Sequence, residues 1–336
     1  MEKERSTQWL SKLYCIVGHK SRLLDIIVPK IGKQVLKQLN DSATDYIEPF
    51  CGSGVVFTNV LKYVIDKRMG EGKHEKMSEL RVHIYDVDEY IIDFWNTLLN
   101  IRQTASMIEL MKKLSKNILR ARNREEVAEC YYKLRDKLNS SRVRNSERWI
   151  RAAYYMTVLR FCFGNMPNYN ANGDFVSSTG RKTRSCFDSV INESDVWGVH
   201  ELLTNKKLHE MAGLKIRLAF TRSDVKNTVK RICSRKDIAN AVVYMDPPYT
   251  DTASVYGKSD KITVMVNESV DELMTFWYTE GMKPVLFMSN NVVYKNNWCK
   301  YRLKININST HNQRHVKRSE VLISNRSLGT QLVYDI

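Results

Sequence analysis

The 336-residue chain has no C-x-x-C cysteine pair, no internal repeat, no low-complexity tract and no uncharged apolar run long enough to cross a membrane. Each absence removes a class of protein. The seven cysteines (Cys15, Cys51, Cys130, Cys162, Cys186, Cys233, Cys299) are scattered, which argues against a zinc site and a disulfide framework and suits a reducing compartment. The first twenty residues carry charges of both signs and lack the apolar core and small-residue cleavage site of a secretory signal, so a cytoplasmic location is expected. Acidic residues are also in short supply: 37 Asp and Glu stand against 53 Lys and Arg, for a formal net charge of +16. An excess of that size points to a polyanionic partner, because phosphate neutralisation releases counterions and drives binding. Solubility alone asks for much less charge.

The order of elements can be read from periodicity. A helix is predicted over Ser21 to Leu39, with Pro29 expected to break it in two. A strand ending near Glu48 leads through Pro49-Phe50-Cys51-Gly52-Ser53-Gly54 into the apolar start of a second helix. The polar stretch from Asp66 to Leu80 reads as an exposed loop, followed by a strand over Arg81 to Tyr85 that ends at Asp86. From about Glu89 to Arg160 the pattern is helical and dense in Lys and Arg, including Lys112, Lys116, Arg142, Arg144 and Arg148. A hairpin is expected over Asn168 to Val176 with Asn172-Gly173 as its turn. Strands return at Lys215 to Phe220, Ala241 to Met245, Pro284 to Met288, Lys304 to Ile307 and Glu320 to Ile323. Strands at both ends of the chain with a basic helical block between them suggest one α/β domain interrupted by an insert.

The chemistry concentrates in Asp246-Pro247-Pro248-Tyr249, directly after an apolar strand. Ligands of open α/β sheets bind beyond the carboxyl ends of the strands. The exocyclic nitrogen of adenine is a weak nucleophile because its lone pair is delocalised into the ring. A carboxylate at Asp246 accepting one N–H, and the carbonyl of Pro247 accepting the other, hold that nitrogen closer to tetrahedral and aim its lone pair. Tyr249 offers an aromatic face to a base that has left its stack. Upstream, Gly52 and Gly54 allow close backbone approach at a helix start. Asp86 at its strand end suits a ribose diol, and Asp224 suits an adenine amino group.

Taken together, Gly18-His19-Lys20, the run Tyr46 to Phe57, Tyr85-Asp86, and Asp246 to Tyr249 resemble, in order, the motifs of the DNA adenine methylase family, the α-group adenine-N6 methyltransferases. The resemblance extends from about residue 14 to 325. It implies an α/β fold: a Rossmann-like methyltransferase sheet with an inserted, mainly helical DNA-recognition module and a β-hairpin. The implied division is 12–88 for the first part of the catalytic domain, 89–195 for the insert with its hairpin at about 163–183, and 196–336 for the second part. The implied reaction is methyl transfer from S-adenosyl-L-methionine to a flipped adenine of double-stranded DNA, with no metal and no membrane. Methylation of cytosine N4 or of RNA adenine, and a catalytically inactive DNA-binding homologue, are the alternatives.

By the same resemblance Lys20 pairs with the methionine carboxylate of the cofactor. Glu48, Pro49, Phe50, Cys51, Gly52, Ser53 and Gly54 cradle its methionine part, Asp86 holds the ribose, and Asp246 lies near its amine. Asp246, Pro247, Pro248 and Tyr249 grip the target base. Asn165, Asn168, Asn170, Ser178, Arg181 and Lys182 are the implied DNA contacts. Two departures stand out: Ile16 occupies a position that is commonly aromatic, for which Tyr14 or Trp9 can substitute. In the hairpin, Asn168 and Ser178 replace the arginine and proline of members reading GATC, which implies another target.

Overall fold

The computed structural model describes residues 8–14, 16, 20–39, 43–72, 76–180, 191–235, 241–247, 268–276, 279–280, 285–290, 301–311, 314–328 and 333–335. They form two compact units, each assembled from separate stretches of chain. One takes residues 1–24, 52–59 and 88–206, and the other takes 25–51, 60–87 and 207–336.

The second unit holds an eight-stranded sheet in the order β3-β2-β1-β4-β5-β7-β6-β8. Its strands are β1 (Thr44–Glu48), β2 (Ser78–Asp86), β3 (Leu214–Arg222), β4 (Ala241–Met245), β5 (Val285–Asn290), β6 (Tyr301–His311), β7 (Arg314–Ser324) and β8 (Val333–Asp335). The strands from β3 to β5 run parallel, and β7 pairs antiparallel with both β5 and β6. Strand order reverses between β1 and β4, so the sheet is Rossmann-like with its switch point between these two strands. All five residues of β1 and of β4 are buried, as central parallel strands require. On one face Ile47, Val243, Met245 and Leu286 pack with Val225, Val229 and Ile232 of α10 (Val225–Cys233) and with Val270, Leu273 and Met274 of the helical stretch 268–276.

Two expectations are corrected here. Pro29 does not divide its helix: α1 runs unbroken over Leu24–Leu39. The lost N–H removes one hydrogen bond, whereas the buried stripe Ile27, Val28, Ile31, Val35 and Leu39 holds the helix on both sides of it. The stretch 66–80 is mostly not a loop, because α2 (Val55–Glu71) enters it from one side and β2 from the other. Tertiary partners extend both elements. Arg68 is buried, donating to the carbonyls of Ala212 and Gly213, and Ser78 pairs with Leu214 of β3. The same effect lengthens β6 and β7 beyond their short apolar centres, since they pair with one another over eleven residues.

The first unit is mainly helical. Its α7 (Arg148–Phe161) packs against α3 (Glu89–Thr97), α4 (Ile101–Arg120) and α5 (Arg124–Asn139), burying Ala152, Ala153, Tyr155, Met156, Val158, Leu159 and Phe161. Asp88, Asn100 and Asn123 cap α3, α4 and α5 with side-chain acceptors, which fixes where each helix starts. The short α6 (Ser141–Arg144) and α8 (Glu193–Thr204) complete this unit, and α9 (Lys206–Met211) falls almost wholly in the second.

Candidate active site

Because β1, β2 and β4 are parallel, their last residues emerge at one edge of the sheet. Glu48 ends β1, Asp86 ends β2, and Asp246 lies one residue past β4. Glu48 is 2% exposed and accepts a hydrogen bond from the Tyr46 hydroxyl at 3.0 Å. The hydroxyls of Tyr244 and Ser289 are 2.8 Å apart on the adjoining strands β4 and β5. Burial pushes the Glu48 carboxyl well above the usual glutamate range; the Tyr46 hydrogen bond opposes this, and the charges of Asp246 and Asp86 push it higher. Burial, followed by the Asp246 charge, likewise raises Tyr244. This strand edge gathers three carboxylates, which suits a cationic ligand with hydroxyl and amino donors.

A test follows from the direction of the Glu48 shift. The folded protein holds this proton more tightly than the unfolded chain does. The associated stability is complete below the ordinary glutamate range and is lost as pH rises through the raised value. The melting temperature of ligand-free protein should therefore fall relative to Glu48→Gln as pH rises above the ordinary glutamate range. Parallel curves for the two proteins would remove Glu48 from the account.

The backbone beyond the strands is tied down in the same unit. Cys51 N–H donates to the Tyr85 carbonyl and Ser223 N–H to the Asp86 carbonyl, each at 2.9 Å. Pro49 and Cys51 are buried, and Phe50 packs half-buried on the α10 face. Asp224 caps α10, its carboxylate accepting from Asn227 N at 2.7 Å and Asn227 Nδ2 at 2.8 Å. The signal was in the sequence, where an aspartate precedes an amphipathic run.

Within the first unit, Gly52 (φ 49°) and Gly54 (φ 67°) both adopt the left-handed region. A Cβ at Gly54 would stand 2.1 Å from Trp95 Cζ2, whereas one at Gly52 would meet nothing within 4 Å. Ser53 between them is buried. Tyr14 donates its hydroxyl to the Gly52 carbonyl at 2.6 Å and accepts from Trp95 Nε1 at 3.3 Å. Trp95 is a site residue that sequence reasoning misses, since its packing beneath a glycine turn leaves no local signature. Lys20 is 3% exposed at the head of the short 3-10 turn Ser21–Leu23, and its carbonyl accepts from Leu23 N–H.

The hairpin belongs to this unit as well. Tyr169 and Phe175 form an antiparallel bridge, and Gly173 turns with φ 77°. Asn170 builds the turn itself: its Oδ1 accepts from the backbone of Asn172 and Asp174 at 2.9 Å, and its Nδ2 donates to Asp174. Asn165 is buried with φ 54° and donates to the Leu159 carbonyl, so its part is structural. Asn168 is half-buried and Ser178 exposed. Pro247 is buried; Pro248, Tyr249, Arg181 and Lys182 lie outside the described residues. Helices hold the hairpin: Tyr131 donates to the Ser177 carbonyl, Asn139 makes two bonds to the Phe175 backbone, and Arg144 pairs with Asp174. Tyr169 and Tyr155 both donate to Asp88 Oδ2, at 2.6 and 2.7 Å. Burial raises the Asp88 carboxyl, and these two hydroxyls pull it back.

Of the basic residues of the insert, Lys112 pairs with Glu193 at 2.6 Å and Arg151 with Asp93 at 2.7 Å. Lys116, Arg142 and Arg148 are exposed.

The sequence model of the D12 class N6 adenine-specific DNA methyltransferase family matches residues 17–269, about three quarters of the chain. The chain belongs to this family. As a D12 class methyltransferase it is an enzyme whose relatives act on DNA adenine, and Glu48 and Asp246 stand at the ends of β1 and β4, the two strands between which the strand order reverses. Two solved structures of the rRNA methyltransferase aviRa from Streptomyces viridochromogenes are similar at 13% and 14% identity. They match over 89% and 93% of this chain and 84% and 89% of their own, with TM-scores of 0.35 and 0.37. No curated protein matches the D12 class chain. Among the described residues no His, Cys, Asp and Glu side chains group to hold a metal ion, and no helix is long and apolar enough to cross a membrane.

Proposed function

We propose that the chain is a site-specific DNA adenine-N6 methyltransferase that uses S-adenosyl-L-methionine and acts on an adenine turned out of the duplex. One observation carries the reading: Glu48, Asp86 and Asp246 share the carboxyl edge of the sheet, with Glu48 driven toward its protonated form first by burial and then by the charges of the other two. A cofactor bearing a sulfonium, an amine and a ribose diol fits that set of acceptors, and when bound it supplies an electrophilic methyl group.

Asp86 then accepts the ribose hydroxyls, and Glu48 with the Pro49 to Gly54 turn lines the methionine part. Lys20 meets its carboxylate, following the family pattern. Asp246 and the Pro247 carbonyl each accept one N–H of the target amino group, so that the nitrogen lone pair points away from the ring system. Tyr249 stacks on the base, a contact worth about 1–3 kcal/mol. Tyr249→Ala should therefore lose activity while Tyr249→Phe keeps most of it; equal loss would assign the work to the hydroxyl.

The helical unit is the proposed DNA-recognition part, with 89–195 as its insert and Asn168, Ser178, Arg181 and Lys182 facing the duplex. Asn170 and Asn165 support the hairpin from within. Duplex affinity should fall steeply with salt, and neutralising Arg142 and Arg148 together should flatten the log–log slope by about two. An unchanged slope would make these two arginines a solvated helix face.

The direct test is to incubate the chain with S-adenosyl-L-methionine and duplex DNA, digest to nucleosides and map the methylated positions. N6-methyladenine at a defined sequence is expected, with GATC not the preferred site. N4-methylcytosine instead, or methyl transfer only to RNA, would overturn the reading.

A further inference from the structure

We propose that the sheet-bearing unit carries a second ligand site, for a phosphate group, across the middle of β2 and β3 beside the amino-terminal part of β1. Side chains alternate along a strand, so Arg81, His83 and Tyr85 of β2 project from one face and Asp45 and Ile47 of β1 from one face. Tyr85 and Ile47 pack with α10, which identifies the face and leaves Arg81, His83 and Asp45 next to them toward the amino ends. Register sets Arg81 beside Asp45 on one side and Arg217 of β3 on the other. Arg235 reaches the same place from just beyond the end of α10, with Nη1 3.2 Å from His83 Nε2. The result is a cavity of about 320 Å³ whose walls include Arg81, His83, Arg217, Arg235 and Glu79.

The carboxylates in and under this cavity orient its cations. Asp45 is fully buried and takes Arg81 Nη2 at 2.7 Å and His83 Nε2 at 2.8 Å, with Arg235 at 4.0 Å. Glu79 takes Arg217 Nε at 2.6 Å. Among the described residues, three guanidinium groups thus meet two carboxylates around one opening, leaving an excess of positive charge.

A buried ion pair commonly adds little net stability and costs desolvation. A carboxylate that fixes guanidinium groups before a ligand arrives has a use beyond stability, because pre-set forked donors match a tetrahedral oxyanion. Arg217 is 62% exposed, so the opening reaches solvent. The cavity exceeds one phosphate ion, which admits a phosphomonoester or a phosphate of a nucleic acid backbone. Glu48, Asp86 and Asp246 lie at the carboxyl ends of the strands, so this site is separate from the proposed cofactor position.

The test follows the His83 ring signals by NMR while inorganic phosphate is added at constant ionic strength held with chloride. A saturable shift is expected. In Arg217→Gln the apparent affinity should weaken about tenfold, and Arg235→Gln should behave alike. The methyl-transfer kcat of Arg217→Gln at saturating duplex should stay unchanged, which separates this site from the proposed reaction. A short duplex that reproduces the phosphate shift would name the DNA backbone as the source; a duplex without effect, beside a positive phosphate response, would name a small phosphate compound. No saturable shift with phosphate, or an undiminished one in both variants, would overturn the proposal.

Discussion

Asp246→Ala should lower methyl transfer by about 10²–10³-fold or more while leaving duplex affinity within about twofold. The position is rigid: β4 pairs with β1 on one side and β5 on the other, and all five of its residues are buried. The carboxylate one residue beyond that strand is thus set before any substrate arrives, and removing it removes one of the two acceptors proposed to orient the weak nucleophile. It makes no phosphate contact in the proposed arrangement, so binding should survive. A second consequence concerns Glu48. The Asp246 charge helps to hold the Glu48 carboxyl above its ordinary range, so the pH-dependent loss of stability should move to lower pH in this variant. Single-turnover kinetics and a pH series of melting curves test both. Wild-type rates would defeat the mechanism, and an unmoved pH series would show that the two carboxylates do not interact.

Gly54→Ala should destabilise the protein by about 3 kcal/mol, from a left-handed backbone disfavoured by roughly 1–2 kcal/mol and overpacking of a similar size. The added Cβ would lie 2.1 Å from Trp95 Cζ2 and 2.6 Å from Phe57 Cε1, both buried aromatic rings with little room to retreat. Thermal melting should show a drop of about 5–10 °C. Gly52→Ala is the informative companion. Its φ is also positive, yet nothing described stands within 4 Å of the new methyl group. It should cost about 1–2 kcal/mol, and any loss of cofactor affinity beyond that comes from blocking the approach to the backbone. If Gly54→Ala melts like the wild type, the turn is free to move away from Trp95.

The strand ends that carry the three carboxylates were legible in the sequence because each signal is local. A strand ending in Glu48, a strand ending in Asp86 and a strand leading to Asp246 each show a residue type at the end of an apolar run. What was not legible depends on distant partners. Arg68 draws α2 forward by meeting Gly213, about 145 positions along the chain, and no window around residue 68 contains that information. Trp95 beneath Gly54 and Tyr14 on Gly52 are likewise tertiary facts. At Asp224 a local rule suffices, since an aspartate ahead of an amphipathic run caps α10.

The helical unit draws on three stretches of chain, 1–24, 52–59 and 88–206. Tyr14 from the first and Phe57 from the second lie against Phe94 and Trp95 in the third, with ring centroids 5.2 Å apart for Tyr14–Phe94 and 4.6 Å for Phe57–Trp95. A fragment cut at residues 89 and 195 would therefore uncover an aromatic seam and tend to self-associate. Swapping sequence preference between relatives by exchanging that one contiguous cassette should yield insoluble hybrids. Chimeras that carry all three stretches keep the seam closed, which makes this unit a patchwork to be transplanted whole.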